Sequence, residues 1–302
     1  MKILYVTIKD KNKQGDYLDV ICLRSLRSVL GDNCIDYPKK KILYNDWSEV
    51  EKSSLHGMGF SLYDPPIQDI TDRGYDDVDV VVYGFIDNYK GNYVSDKYPE
   101  LDKLNKPIVY IDGHDDTVVV KTPCFKHELH EAHPDVYPMN LALPSAKVRK
   151  INLSSKTQLI QKTAPPFSRF RPQILGMPGR RLYIFDNEKD YYDDMANSWF
   201  GLSCRKGSWD ALRNYEIIAA GALLLFRDFD KKPALASPRL VPAVSYSTPQ
   251  ELQSIVNRLL PQGAPSDEYT RILNLQRQWL LDYATEERLG EYMVSTIKEK
   301  LL

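Results

Sequence analysis

The sequence predicts an α/β protein built from two Rossmann-like domains that face a cleft. Apolar runs alternate with amphipathic stretches in strand–helix order, the pattern of folds with parallel sheets. That alternation occurs twice, and a polar, proline-punctuated stretch over residues 154–178 separates the two series. The chain has 302 residues, 43% of them hydrophobic, which is enough for two ordinary cores. Because the first pattern already weakens from residue 137, the expected division is 1–150 for the N-terminal domain and 151–302 for the C-terminal domain with its terminal helices.

Residues 2–8 form a short run of β-formers, a first strand, and residues 9–15 a polar loop. Leu18, Ile21, Leu23, Leu26, Val29 and Leu30 then recur near helical spacing over residues 16–30, and Gly31 ends that helix. Residues 35–37 give a second strand. Residues 39–66 are irregular, with a Gly57-Met58-Gly59 turn. Residues 79–86 and 107–112 are nearly continuous apolar runs, as expected of strands buried on both faces. Between them, residues 95–105 form a helix or surface connection, and residues 118–120 add a strand. In the second series, residues 181–185, 199–204, 222–226 and 241–245 read as strands. Residues 188–197, 209–220 and 249–260 read as helices, and 267–302 as one long helix or two broken near Gly290.

Composition excludes several function classes. With 40 basic and 41 acidic residues the net charge is -1, which argues against a broad electrostatic grip on nucleic acid. Cys22, Cys34, Cys124 and Cys204 lack paired spacing and read as buried free thiols of a reducing compartment. No apolar run approaches the roughly 20 residues of a membrane span, and the first residues lack a secretory pattern. A cytoplasmic protein is expected. His127, His130 and His133 form H-x-x-H-x-x-H, in which the third histidine rotates away from the first on a helix. That segment is expected to be a solvated charged helix. No nucleophile elbow, Walker loop or zinc ribbon is present.

The stretch from Arg205 to Asp228 carries the most chemistry. Arg205 and Lys206 precede Gly207 and Ser208, and a helix is expected from Trp209 with Ser208 as its N-cap. Basic side chains beside the amides of a helix start suit a phosphate, and Gly207 lets backbone approach closely. Asp210 falls in the expected first turn, where it favours the helix dipole but repels phosphate unless Arg213 or Lys206 neutralises it. Arg213 and Glu216, three residues apart, share a helix face. Gly221 suits a left-handed helix cap before the next strand.

The run Arg213-Asn214-Tyr215-Glu216-Ile217-Ile218-Ala219-Ala220-Gly221 resembles the R-x-x-E-x-x-A-x-G donor-binding run of GT-B glycosyltransferases, which have two Rossmann-like domains. Lys206-Gly207-Ser208-Trp209-Asp210 resembles the K-G-G-W-D form of exostosin-like and uncharacterised microbial and phage members, with Ser208 in place of the second glycine. A weaker likeness extends upstream over residues 182–204. The resemblance implies a GT-B-like fold whose C-terminal helix packs back on the N-terminal domain. It also implies a nucleotide-sugar donor on the C-terminal domain, with Glu216 on the ribose and Lys206 and Arg213 facing the diphosphate. Arg205, Gly207 and Ser208 complete the expected donor site. Cations and helix amides would stabilise the leaving diphosphate, so neither metal nor cofactor is required.

The N-terminal domain is then expected to bind the acceptor. Asp112, His114, Asp115 and Asp116 follow a predicted parallel strand, and their carboxylates and imidazole can deprotonate a hydroxyl. Asp16, at the first strand-to-helix turn, is a further base candidate and equally an N-cap. Tyr17 beside it, and Lys126 in an element that resembles F-K-R-E-L with His127 for arginine, are acceptor or phosphate candidates. Two rival readings stand beside the transferase. One is a catalytically degenerate nucleotide- or glycan-binding protein of the same fold. The other is a metal-dependent hydrolase centred on residues 112–116. The acceptor itself is open among glycan, metabolite, lipid, protein and modified nucleobase.

Overall fold

The computed structural model describes residues 1–7, 17–48, 50–85, 98–162 and 184–302. One sheet holds six strands: β1 (Ile3–Val6), β2 (Cys34–Tyr37), β3 (Val80–Tyr83), β4 (Ile108–Asp112), β5 (Cys124–Lys126) and β6 (Val136–Pro138). Their order is β2-β1-β3-β4-β5-β6, and every pair is parallel. A second sheet has the order β10-β9-β8-β7, again all parallel, from β7 (Gln158–Ile160), β8 (Ser198–Cys204), β9 (Leu223–Arg227) and β10 (Ser245–Tyr246). The protein is therefore α/β with two parallel sheets. The unbroken apolar sequences of β1 and β3 follow from this, because all their residues are buried.

Among the described residues, six α-helices accompany the sheets: α1 (Tyr17–Leu30), α2 (Glu188–Ala196), α3 (Leu212–Ala220), α4 (Pro249–Leu259), α5 (Asp267–Tyr283) and α6 (Glu286–Lys300). Local sequence fixes several starts. Asn187 accepts from the Asp190 amide ahead of α2, and Thr248 with Glu251 forms a capping box on α4. None of the described helices is long and apolar enough to cross a membrane.

The chain's last helix packs back on the first half. A Cβ on Gly290 would collide with the Ser25 carbonyl oxygen, so the glycine lets α6 lie directly on α1. Arg24 Nε donates to Glu286 Oε2 at 2.9 Å across that contact. Just before α6, the Ala284 carbonyl accepts from the Leu143 amide and the Glu286 amide donates to the Leu143 carbonyl. The expected break near Gly290 is corrected by these contacts. The helices part at Ala284-Thr285, where Thr285 caps α6, and Gly290 is an internal packing residue.

Other expectations are corrected as well. The H-x-x-H-x-x-H segment is irregular chain after β5, with His127 and Glu128 buried rather than solvated. Glu128 is buried because it accepts from the Trp209 amide at 3.0 Å and from His130 Nε2 at 3.1 Å. Residues 118–120 are not a strand, since Asp116 Oδ1 turns the chain by accepting from the Val118 amide. Of the expected strand over 241–245, only Ser245 lies in β10, which pairs Ser245 and Tyr246 with β9. Of the expected strand at 181–185, residues 181–183 lie outside the described residues and 184–185 are irregular. None of the four cysteines is in a disulfide, and all four are buried, as expected.

Candidate functional site

β8 ends at Cys204, and residues 205–208 turn back so that the Lys206 amide reaches the Ser208 carbonyl at 3.2 Å. The helix after this turn starts later than its sequence suggests, at Leu212, with Ala211 as N-cap and no side-chain cap. The reason is that Trp209 and Asp210 are strapped to the first half of the chain. The Trp209 amide donates to Glu128, and Asp210 Oδ2 accepts from the Leu141 amide at 3.2 Å. Ser208 is therefore not the N-cap; its hydroxyl donates to the Asp210 carbonyl at 2.8 Å. Asp210 is buried before the helix rather than in its first turn, and burial pushes its carboxyl up to about 6. A buried acid at this pKa holds less negative charge beside the loop than an exposed aspartate would.

Cations gather where β8 and β9 end. Cys204 pairs in register with Arg227. Burial raises the Cys204 thiol, while the charges of Lys206, Arg227 and Arg213 act the other way. Lys206 is exposed, yet lost hydration and the neighbouring Arg213 charge bring its ammonium down to about 8. Arg205 is also exposed and lies over the Trp209 ring, 5.2 Å from its centroid. Four basic residues thus surround one strand-end, the place where parallel sheets bind ligands.

Glu216 lies one turn into α3 and is buried. Its Oε1 accepts from the Ser61 hydroxyl and its Oε2 from the Tyr191 hydroxyl. Tyr192 in turn donates to Ser61 Oγ at 2.9 Å. Burial raises the Glu216 carboxyl, against the two hydroxyls and Arg213, which favour the charged form. Gly221 caps α3 with φ 91, the left-handed geometry expected of it.

Across the cleft, Asp112 ends β4 and is fully buried. Its Oδ1 accepts from the His114 amide at 3.1 Å and lies 2.9 Å from His114 Nδ1. Its Oδ2 lies 3.1 Å from the Lys126 ammonium, which β5 brings alongside in register. Burial alone would raise Asp112, but the His114 hydrogen bond and the Lys126 charge outweigh it and hold it below the usual carboxylate range. In return the Asp112 hydrogen bond raises His114 above an ordinary imidazole. The His114 ring packs by Phe85, with centroids 6.1 Å apart.

The two strand-ends meet at Gly207. A Cβ there would collide with the Asp115 carboxylate, so the residue following the Asp112–His114 pair lies directly on the basic loop. Asp115 and Asp116 are exposed. Among the described residues, no three His, Cys, Asp or Glu side chains are placed to hold a metal ion. Lys126 is fully buried against Asp112 rather than facing the cleft. Tyr17 opens α1 and packs partly buried on the main core. Asp16 lies outside the described residues.

Sequence reasoning missed Ser61, Tyr191, Glu128 and Arg227. For Arg227 a signal existed, a charged residue at the carboxyl end of an apolar strand. Ser61 gave none, because it reaches Glu216 across 155 residues of chain.

No family model matches the sequence, and neither does any curated protein. Solved structures do match the fold. HepE from Anabaena, in complex with UDP, superposes with a TM-score of 0.56 at 10% identity, covering 99% of this chain and 100% of that one. Its complex with UDP-glucose gives 0.53 at 8% identity, covering 99% and 100%. AviGT4, a glycosyltransferase involved in avilamycin A biosynthesis, gives 0.52 at 14% identity over 100% of this chain and 98% of that one. These likenesses identify the fold as the GT-B glycosyltransferase fold.

Proposed function

We propose that this GT-B chain transfers a sugar from a nucleotide-sugar donor to an acceptor hydroxyl. Residues 151–302 would bind the donor and residues 1–150 the acceptor. The observation that carries the reading is the contact of Asp115 with Gly207, which sets a histidine–aspartate pair opposite a cluster of cations. A displacement with inversion at the anomeric carbon uses both, one on each side of the transferred sugar. The complexes of HepE with UDP and UDP-glucose support a nucleotide-sugar donor here, and uridine diphosphate sugars are the first to test.

In this reading Arg205, Lys206, Arg213 and Arg227 hold the diphosphate. Glu216 takes the ribose. His114 removes the acceptor proton while Asp112 fixes the imidazole and stabilises its charged form. The acceptor oxygen bonds to the anomeric carbon, the bond from that carbon to phosphate breaks, and its electron pair leaves on the diphosphate. The surrounding cations stabilise that developing charge, so the step needs no metal and no cofactor. Lys126 serves by holding Asp112, and Asp115, Asp116 and Tyr17 line the acceptor side.

The test is nucleoside diphosphate release from a nucleotide-sugar panel. Wild-type protein should release it, and His114→Ala or Asp112→Asn should be slower by about 10²- to 10⁴-fold. Undiminished release by both variants would remove the base assignment. One observation favours a second reading, a nucleotide-binding member without turnover: both Glu216 oxygens are already hydrogen-bonded. That reading predicts nucleotide binding with no release of diphosphate.

A further inference from the structure

Ser61 belongs to the first half of the chain but ends on a carboxylate of the second. Its position is tightly determined. The neighbouring Phe60 ring packs at a tilt against Tyr191, with centroids 5.5 Å apart, while Leu62 and Tyr63 are buried in the main core. Ser61 itself is fully buried at φ 74, a left-handed conformation uncommon for a residue with a side chain. Because Tyr192 donates to Ser61 Oγ, the serine's own proton is directed at Glu216 Oε1. Tyr191 directs a second proton at Oε2.

A carboxylate has about four lone-pair sites, two on each oxygen. Ser61 and Tyr191 fill one on each. Each oxygen of this positioned carboxylate has a second lone pair, and the two adjacent hydroxyls of a ribose are a donor pair that would match them. We infer that Ser61 and Tyr191 are positioning residues that make Glu216 selective for ribonucleotides over 2′-deoxyribonucleotides, so that the first half of the chain completes the donor site. This rests on the reading of Glu216 as the ribose ligand. The reason for selectivity is that a 2′-deoxyribose leaves one oriented lone pair unmet in a buried site, and an unmet buried acceptor is costly. Without Ser61 the carboxylate can turn to meet a single hydroxyl, and the discrimination shrinks.

The experiment measures dissociation constants for the ribonucleoside diphosphates of uracil, guanine, adenine and cytosine and for their 2′-deoxy counterparts. Proteins compared are wild type, Glu216→Gln, Tyr191→Phe, Ser61→Ala and Ser61→Gly. The glycine variant removes the hydroxyl without strain at positive φ, and thermal unfolding checks that each variant is folded. Wild type should prefer the ribonucleotide by about tenfold, the ratio for one charged hydrogen bond. The Ser61 variants and Tyr191→Phe should keep binding while the preference falls to about two- to threefold. If Glu216→Gln loses the preference and the Ser61 and Tyr191 variants retain it, the inference fails and the donor reading stands. If the Ser61 variants weaken both sugars equally, Ser61 is only structural and the inference fails. If no diphosphate binds wild type, the donor reading and the inference fall together.

Discussion

The Lys126 ammonium stands 3.1 Å from Asp112 Oδ2, and neither side chain has any exposed surface. A buried pair of this kind is expensive to break from one side, because the remaining charge is left without a partner. Lys126→Met should therefore lower unfolding free energy by about 3–5 kcal/mol, measured by urea denaturation. A loss below about 1 kcal/mol would mean that Asp112 does not depend on Lys126.

His114 connects the same pair to the proposed transfer. Its raised pKa comes first from the Asp112 hydrogen bond, with the Lys126 charge acting in the opposite direction. A general base works as neutral imidazole, so transfer should rise with pH through a midpoint above the ordinary histidine value. Asp112→Asn should move that midpoint down, and Lys126→Met should move it up. A pH–rate profile measured on all three proteins checks both signs. Midpoints that move together, or not at all, would show that His114 is not the titrating base.

Asp210 makes a separate pH prediction. Burial first, then the nearby Glu128, raise its carboxyl to about 6, while the His127 charge, the nearby Tyr215 hydroxyl and the hydrogen bond from the Leu141 amide oppose. An unfolded aspartate titrates near about 3.9. Between these values the folded protein binds the proton more tightly, so stability falls as pH rises and stays lower above about 6. Asp210→Asn can still accept from the Leu141 amide but carries no charge. It should be more stable than wild type at neutral pH by about 2–3 kcal/mol, with the gain vanishing near about pH 4. Thermal unfolding at both pH values decides, and an equal gain at both would contradict the account.

Gly290→Ala tests how the terminal helix is held. Alanine improves helix propensity by about 1 kcal/mol, but its Cβ would collide with the Ser25 carbonyl on α1. Overpacking of about 1–3 kcal/mol, or more against backbone, should win, giving net destabilisation in urea. A stabilised variant would show that α6 can move off α1 cheaply.

Much of the fold was legible along the chain. The Val80-Val81-Val82 run and the spaced leucines of α1 carry their own periodicity, so β3 and α1 stand where their patterns put them. Strands β5, β6 and β7 have three residues each, too few to show a period, and exist through parallel partners. The start of α3 was displaced by Glu128 and Leu141, which lie far away in sequence and claim the Trp209 amide and the Asp210 carboxylate. The same limit governed the site. Lys206, Arg213 and Glu216 fall in one local run, whereas Ser61 and Tyr191 join them only through folding.

The central claim is that the end of β8 with helix α3 forms a nucleotide-sugar donor site. Calorimetric titration of wild-type protein and Glu216→Ala with nucleoside diphosphates and nucleotide sugars tests it most directly. The account predicts saturable binding to wild type that weakens by about tenfold or more in Glu216→Ala. No binding by wild type, or equal binding by both proteins, would contradict it.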